Sequence, residues 1–230
     1  MRDPAYSTLS LKEFTDRLGS GDPVPGGGGA SALAGCLGAA LGNMVAHLTV
    51  GRKRYASIQD EMEDVIRQEE ALQKELLELI SEDARMFAPL SKAYSMPRST
   101  EEEKREREAV MKDALKDACQ VPLRIMELMC RAVELAGTVA RKGSAAAVSD
   151  AGDAAALCRG ALQSAALNVF INTKYMKDRD LAGRYNAHAE EMLQEYVPAA
   201  DRIYSQVLDQ LKGDSDGKTV VGKRSCGANQ

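Results

Sequence analysis

Two acidic residues lie on an apolar helix face and are the first candidates for chemistry in this sequence. Between residues 58 and 90, apolar residues recur at alternating steps of four and three, which is typical of a seam in a helical bundle. This register turns Glu69 and Asp83 inward. The four helical neighbours of Asp83 are all apolar: Leu79, Ile80, Met86 and Phe87. Burial raises the pKa of a carboxyl and suits a general acid or base, but either acid could instead form a structural ion pair.

A run of glycines is the second candidate. Gly26, Gly27, Gly28 and Gly29 follow two prolines and precede a stretch made largely of Ala, Gly, Leu and Ser. The unpaired N–H groups at the start of a helix can receive an anionic or carbonyl oxygen, and glycine allows close approach. No strand precedes the run, so a dinucleotide site fails its context, and a Walker-type ending is absent. Alternatively, the glycines only let two helices cross closely.

Two asparagines, Asn168 and Asn172, lie four residues apart and share one face of an Ala-rich helix. Their amides offer both donors and acceptors, as a pterin-like heterocycle requires. Bonds to each other or to the backbone are an equal alternative. Asp150 and Asp153, at the start of the same helix, fit the preference for acids in a first turn.

Capping and breaking residues outline the helices that would position these groups. A capping box at Ser10-Leu11-Lys12-Glu13 predicts a short first helix that ends at Gly19 to Gly21. Longer helices are predicted over residues 30–50, 55–94, 100–141, 149–175 and 178–212. A bend or break is expected near Pro89 and a kink at Pro122, and Pro198 lies inside the last helix.

These elements predict an all-α fold, an up-and-down bundle of about five long helices with a short N-terminal helix. The sequence contains no strand pattern and no internal repeat. Residues 1–212 are predicted to form one helical domain. Residues 213–230 are polar and glycine-rich, a composition that predicts a disordered C-terminal tail.

Composition limits the partners and the compartment. The net charge of −4 gives no basis for non-specific nucleic-acid binding. Five cysteines without a C-x-x-C pair, together with two histidines, provide no zinc-ligand spacing, so no metal is expected. The uncharged stretch between Asp22 and Arg52 is long enough to span a membrane, but its Gly and Ala content and Asn43 and His47 favour a central bundle helix. No signal peptide opens the chain, so a cytoplasmic protein is expected.

Several motifs, in order along the chain, resemble those of the cyclodeaminase/cyclohydrolase family. This family includes the cyclodeaminase half of formiminotransferase-cyclodeaminase and stand-alone methenyltetrahydrofolate cyclohydrolases. The resemblance spans roughly residues 9–210 and rests on these segments: Pro23-Val24-Pro25-Gly26-Gly27-Gly28, Gly51-Arg52-Lys53-Arg54-Tyr55, Asp83-Ala84-Arg85-Met86-Phe87, Pro97 to Lys104, Ser149-Asp150-Ala151-Gly152 and Asn168-Val169-Phe170-Ile171-Asn172.

The resemblance implies a helical fold, a homodimer as the minimal unit, and a tetrahydrofolate derivative as substrate without a further cofactor. It implies that Asp83, the residue that the seam selects independently, is the catalytic acid. It also implies folate-site positions for eight further residues: Gly26, Gly27, Gly28, Lys53, Tyr55, Asp150, Asn168 and Asn172.

The chain departs from the family pattern at three points. Gly29 stands where the family usually has Ser, so Ser31 would have to replace that hydroxyl if it binds substrate. Gly143-Ser144-Ala145-Ala146 stands where the family often has Gly-Asn. Asp153 replaces a usual Val and adds a charge whose role the sequence does not explain.

The favoured activity is hydrolysis of 5,10-methenyltetrahydrofolate to 10-formyltetrahydrofolate, because this sequence contains no formiminotransferase domain to deliver formiminofolate. The alternative within the family is a formiminotetrahydrofolate cyclodeaminase, which closes the same ring and releases ammonia; a separate formiminotransferase chain would then be a partner. An alternative of another class is a helical folate-binding or adaptor oligomer without turnover.

Overall fold

The structure is a computed structural model that describes residues 6–213 of the 230-residue chain. The described residues form seven α-helices and three short 3-10 helices. The 3-10 helices are Tyr6–Thr8, before the first α-helix, and Lys53–Ile58 and Ala145–Ala147, which lie between α-helices. The α-helices are α1 (Leu11–Leu18), α2 (Gly27–His47), α3 (Gln59–Tyr94), α4 (Glu101–Ala118), α5 (Gln120–Lys142), α6 (Val148–Tyr175) and α7 (Arg179–Gly213). Between residues 6 and 213 there is no strand. The predicted all-α bundle is therefore confirmed, with six long helices instead of about five.

Capping boxes explain where two of the helices begin. Ser10 and Thr100 each form the predicted capping box, with Glu13 and Glu103 respectively. The helix α2 starts at Gly27, earlier than the predicted residue 30, because the extended Gly26 already serves as its N-cap. The predicted C-terminal tail lies, from residue 214 onward, outside the described residues.

The predicted helix over residues 100–141 is two helices, and Pro122 supplies the physical reason. A proline has no N–H to donate to the carbonyl four residues earlier, which here belongs to Ala118. The helix α4 ends at Ala118 and α5 begins at Gln120. In contrast, α3 continues through Pro89 and α7 through Pro198, so the predicted break near Pro89 is absent.

The bundle centres on α2 and α6, which pack against each other and against the surrounding helices. Glycines make the close crossing of α2 possible. A Cβ at Gly35 would lie 2.6 Å from Met129 Sδ, and one at Gly38 would lie 2.6 Å from Cys158 Sγ. The small residues of α2 therefore bring its backbone against α5 and α6, and this packing fixes the position of its N-terminus.

Two described segments, Gly27–His47 and Ala145–Tyr175, have the length and hydropathy of a membrane-spanning helix. Inside the bundle, 61% and 44% of their most apolar windows are buried against other parts of the protein. A central bundle helix is apolar for the same reason that a membrane helix is, since both lack contact with water. The absence of a membrane partner remains a prediction.

Candidate functional site

A cavity of about 220 Å³ lies where the N-terminus of α2 meets α3, α5 and α6. A wider groove of about 710 Å³ runs along α7, but residues of that helix alone line it, so it has no second wall to enclose a ligand. The cavity combines apolar walls with polar groups from separate helices. Its lining residues are Pro23, Val24, Gly26, Gly27, Gly28, Asp83, Phe87, Ala118, Pro122, Asn168, Ile171 and Asn172.

Asp83 reaches from α3 to the first turn of α2 and acts as a tertiary cap. The N-cap residue Gly26 has no side chain to offer the unpaired N–H groups. The Gly29 N–H donates instead to Asp83 Oδ2, over 3.0 Å. A Cβ on Gly28 would overlap the Asp83 carboxylate, so this close approach requires glycine.

Burial raises the pKa of Asp83 from 3.8 to about 6, and the hydrogen bond from Gly29 opposes part of this rise. No Lys, Arg or His in the described part of the chain forms an ion pair with Asp83. The structural ion pair considered as an alternative is therefore absent there. The adjacent Glu82 instead bonds to Arg85 on the exposed side of α3. A carboxyl that titrates near neutral pH inside a cavity can both accept and return a proton.

Glu69 points inward as predicted but lies outside the cavity lining. Its side chain is 1% exposed, and Gly42 of α2 lies directly against Oε1. Burial raises its pKa to about 8, with Arg131 acting in the opposite direction. Glu69 is thus a core acid, and of the two seam acids only Asp83 lines the cavity.

Asn168 lies beside the glycine run in the wall of the cavity. Its Nδ2 donates to the Ser164 carbonyl, over 2.9 Å, within α6. A Cβ on Gly27 would lie 3.1 Å from Asn168 Oδ1, so the absence of a side chain there leaves room for the amide. Asn168 therefore bonds to the backbone, which was one of the alternatives considered for it, and it also lines the cavity.

Asn172 also lines the cavity, one helical turn further along α6. It is 8% exposed, and its Nδ2 donates to the Ala118 carbonyl over 3.0 Å. At this position, too, the predicted backbone alternative occurs.

Ser31 does not replace the serine that the family has at the position of Gly29. It is 1% exposed and does not line the cavity. Its Oγ lies 2.6 Å from the Gly27 carbonyl oxygen and 2.9 Å from Ser164 Oγ. These bonds tie the first turn of α2 to α6, so Ser31 supports the glycine run from behind.

Three predicted site residues lie near the C-terminal end of α2, at the opposite end of this helix from the cavity. Lys53 and Tyr55 follow the C-terminus of α2, and the Tyr55 hydroxyl accepts a bond from the Ala145 N–H over 3.1 Å. Asp150 is in the first turn of α6. Since α2 has 21 residues, it is about 30 Å long, so none of these residues reaches the Asp83 cavity within one chain. Asp153 is exposed on α6, and nothing in the structure explains it.

The sequence did not predict several of the apolar lining residues as site residues, among them Phe87, Pro122 and Ile171. Helical spacing could have found two of them, because Phe87 is one turn from Asp83 and Ile171 shares a face with Asn168. Pro122 comes from another helix, and no local pattern places it beside these residues.

Comparisons with known proteins identify the family of this chain. The sequence profile of the formiminotransferase-cyclodeaminase family matches residues 10–191. The methenyltetrahydrofolate cyclohydrolase of Methylorubrum extorquens is 39% identical over 202 residues, covering 88% of this chain and 97% of that protein. The formimidoyltransferase-cyclodeaminase of Mus musculus is 31% identical over 194 residues, which cover 84% of this chain and 36% of the mouse protein.

A solved structure has the same fold. The crystal structure of formiminotetrahydrofolate cyclodeaminase from Thermotoga maritima superposes with a TM-score of 0.74 at 31% identity. The match covers 90% of this chain and 98% of that one. The family match spans the glycine run, Asp83 and the asparagine face of α6, which together form the cavity. The chain belongs to the formiminotransferase-cyclodeaminase family.

Proposed function

We propose that this chain hydrolyses 5,10-methenyltetrahydrofolate to 10-formyltetrahydrofolate. The observation that carries the proposal is Asp83, a carboxyl with a pKa raised to about 6 inside a cavity that also presents amide groups. The substrate has a cationic methenyl carbon, which a nearby carboxylate stabilises. Phe87 and Ile171 offer apolar surface to a flat ring system, and the free amide atoms of Asn168 and Asn172 offer polar contacts at its edge.

The proposed chemistry needs one group that moves a proton. Asp83 accepts a proton from water as the water oxygen bonds to the methenyl carbon, which becomes tetrahedral. Asp83 then returns that proton to nitrogen-5 as the bond between carbon and nitrogen-5 breaks. The remaining hydroxyl proton leaves to solvent, and the formyl group stays on nitrogen-10. General acid–base help of this kind accelerates reactions by typically about 10²–10⁴-fold.

The near full-length match to a protein named as a cyclohydrolase supports hydrolysis as the main activity. A second candidate is formiminotetrahydrofolate cyclodeaminase, the name of the Thermotoga maritima protein. In that reaction nitrogen-10 attacks the formimino carbon, and ammonia leaves from the tetrahedral intermediate. The same carboxyl would protonate the departing nitrogen, so the two activities share one site.

Offering both folates to the purified protein tests the proposal. We expect loss of methenyl absorbance with 5,10-methenyltetrahydrofolate, faster than the spontaneous reaction, and little ammonia from 5-formiminotetrahydrofolate. Ammonia release at a higher kcat/KM would assign the chain to the second activity. Folate binding without turnover of either compound would support the adaptor alternative instead.

A second copy of the chain is part of the proposal. An apolar face is formed by partly or largely exposed residues of two helices that pack against each other: Leu33, Leu37, Leu41 and Met44 of α2, with Leu48 directly after this helix, and Leu167 and Ile171 of α6. Leu37 is 51% exposed and Leu167 68% exposed. No charged residue interrupts α2, so a matching face of the same composition would cover it without burying a charge. Ile171 also lines the Asp83 cavity, which therefore opens beside this face.

A two-fold pairing of these faces would complete the site. If the α2 helices of two copies run antiparallel, the C-terminal end of one α2 lies beside the N-terminal end of the other. Lys53, Tyr55 and Asp150 of one copy would then approach the Asp83 cavity of its partner. This arrangement accounts for the separation of these residues from Asp83 in a single chain.

A further inference from the structure

The junction between α4 and α5 contains a backbone carbonyl that the helix cannot satisfy in the usual way. The donor for the Ala118 carbonyl would be the N–H of residue 122, which is Pro122 and has none. Asn172 of α6 supplies the donor, since its Nδ2 lies 3.0 Å from the Ala118 oxygen. A side chain from a distant part of the chain thus makes the bond that the proline removes.

We infer that Asn172 is a positioning residue, whose amide replaces the donor lost at Pro122 and holds the α4–α5 junction as a wall of the Asp83 cavity. The inference rests on the proposed function for its kinetic consequence. Ala118, Pro122 and Asn172 all line the cavity, so the three residues form one continuous part of its wall. The remaining Asn172 groups stay available to a ligand, but the Nδ2 bond is directed at the protein.

The hydrogen bond between Asn172 and the Ala118 carbonyl is important because it is buried. Asn172 is 8% exposed and Ala118 is 6% exposed, so water has little access to the bond between them. Removing the amide would leave a buried acceptor without a partner, an arrangement that proteins avoid. The junction would then shift toward solvent or close its own hydrogen bonds, and the cavity would lose its shape. Such a change weakens substrate binding more than it affects proton transfer at Asp83.

A double-mutant cycle separates this role from a direct substrate contact. The four proteins are the wild type, Asn172→Leu, Pro122→Ala and the combination. Because Pro122→Ala provides an N–H at position 122, the Ala118 carbonyl gains a donor within the helix. We expect Asn172→Leu to raise KM about tenfold in the wild-type background, with kcat changed less than about threefold. In the Pro122→Ala background, the factor by which Asn172→Leu raises KM should be at least about fivefold smaller.

Melting temperatures of the same four proteins provide a readout that needs no substrate. We expect Asn172→Leu to lower the melting temperature by about 2–10 °C in the wild-type background and by less than half of that with Pro122→Ala. Asn168→Leu is the matched control, because Asn168 bonds the Ser164 carbonyl within its own helix and should act equally in both backgrounds. If Asn172→Leu does not fold, Asn172→Ala takes its place, since alanine cannot donate a side-chain hydrogen bond and is well tolerated inside a helix.

Two outcomes would overturn the inference. Equal effects of Asn172→Leu with and without Pro122→Ala, in KM and in melting temperature, would show that the Ala118 bond is not its role. A loss confined to kcat would make Asn172 a direct participant in the reaction. If the wild type turns over neither folate, the proposed function fails, whereas the melting temperatures still decide whether Asn172 and Pro122 are coupled.

Discussion

Two opposing effects set the pKa of the Asp83 carboxyl. Burial disfavours the charged form, and the Gly29 N–H favours it, with the result that the pKa is raised to about 6. At neutral pH the Asp83 carboxyl is therefore ionised in most molecules and able to accept a proton from water. The group nevertheless holds a proton well enough to return it to a leaving nitrogen.

Glu69 provides a test of burial at a residue that the proposed reaction does not use. Its pKa is raised from 4.5 to about 8, so the folded protein keeps its proton after the unfolded chain has lost it. The contribution of Glu69 to the free energy of unfolding therefore falls as pH rises from about 4.5 to 8. Because Glu69→Gln carries no titrating group, we expect it to be more stable than the wild type by about 1–3 kcal/mol at pH 8, but by much less at pH 5.

Urea unfolding at the two pH values measures this difference. Glu70→Gln is the matched control, since Glu70 is the next residue on α3 and is exposed. The same pH dependence for Glu69→Gln, Glu70→Gln and the wild type would show that Glu69 is not held protonated in the core.

At the scale of the helix, the first turn of α2 and the middle of α3 form one unit through Asp83. We expect Gly28→Ala to disrupt this unit, because its Cβ would overlap the Asp83 carboxylate. Turnover should fall at least about tenfold, and the free energy of unfolding should fall by about 1–3 kcal/mol, the usual range for overpacking. A steady-state assay and a urea titration of the purified variant check both values.

Gly183→Ala in α7 is the control for this substitution, because no atom lies within 4 Å of its added Cβ. Alanine favours the helix over glycine by up to about 1 kcal/mol, so this variant should be slightly more stable and fully active. A Gly28→Ala protein that behaves like Gly183→Ala would mean that Asp83 does not depend on close contact with α2.

The helices and the α3 register could be predicted from sequence, since capping boxes and apolar spacing are local signals. The division between α4 and α5 could not, although Pro122 marked the place. Three prolines lie in predicted helices, yet only Pro122 separates two helices in the described part of the chain. The carbonyl that Pro122 leaves without its helical donor belongs to Ala118, and its donor comes from Asn172 of α6, a contact that no local pattern contains.

Prediction of the site from the sequence is limited in the same way, because local patterns do not contain contacts between helices. The sequence selected Asp83, the glycine run and both asparagines, and the cavity brings them together. The bond from Gly29 to Asp83 joins residues of different helices, so no local pattern contains it. Lys53, Tyr55 and Asp150 entered through family resemblance, and their distance from Asp83 depends on how α2 and α6 pack together, which the separate helix predictions do not contain.

At the scale of the whole molecule, the apolar face of α2 and α6 carries the dimer prediction. We expect the wild type to be a dimer at micromolar concentration and Leu37→Glu to be a monomer, since a charge buried at the centre of the interface is costly. Light scattering measures the mass of each. Val110→Glu on α4 is the control, because Val110 is also exposed but lies on another helix. A monomeric, active wild type would contradict the pairing.

Mixed dimers test whether the two copies share a site. Asp83→Asn and Asp150→Asn should each be inactive, because each damages both sites of its own dimer. After co-expression, random pairing gives mixed dimers in which one site has neither substitution, so activity should return to about a quarter of the wild-type value. Mixtures that stay inactive would place Asp150 outside the partner's site.

The central claim is that Asp83 moves the proton in folate turnover, and Asp83→Asn tests it most directly. Asparagine caps a helix about as well as aspartate does, so the bond from Gly29 and the melting temperature should be retained. We expect the single-turnover rate of methenyl loss to fall about 10²–10⁴-fold, with the folate Kd within about threefold of the wild-type value. A stable variant with a near wild-type rate would contradict the claim, as would an unstable one whose folded fraction turns over at the normal rate.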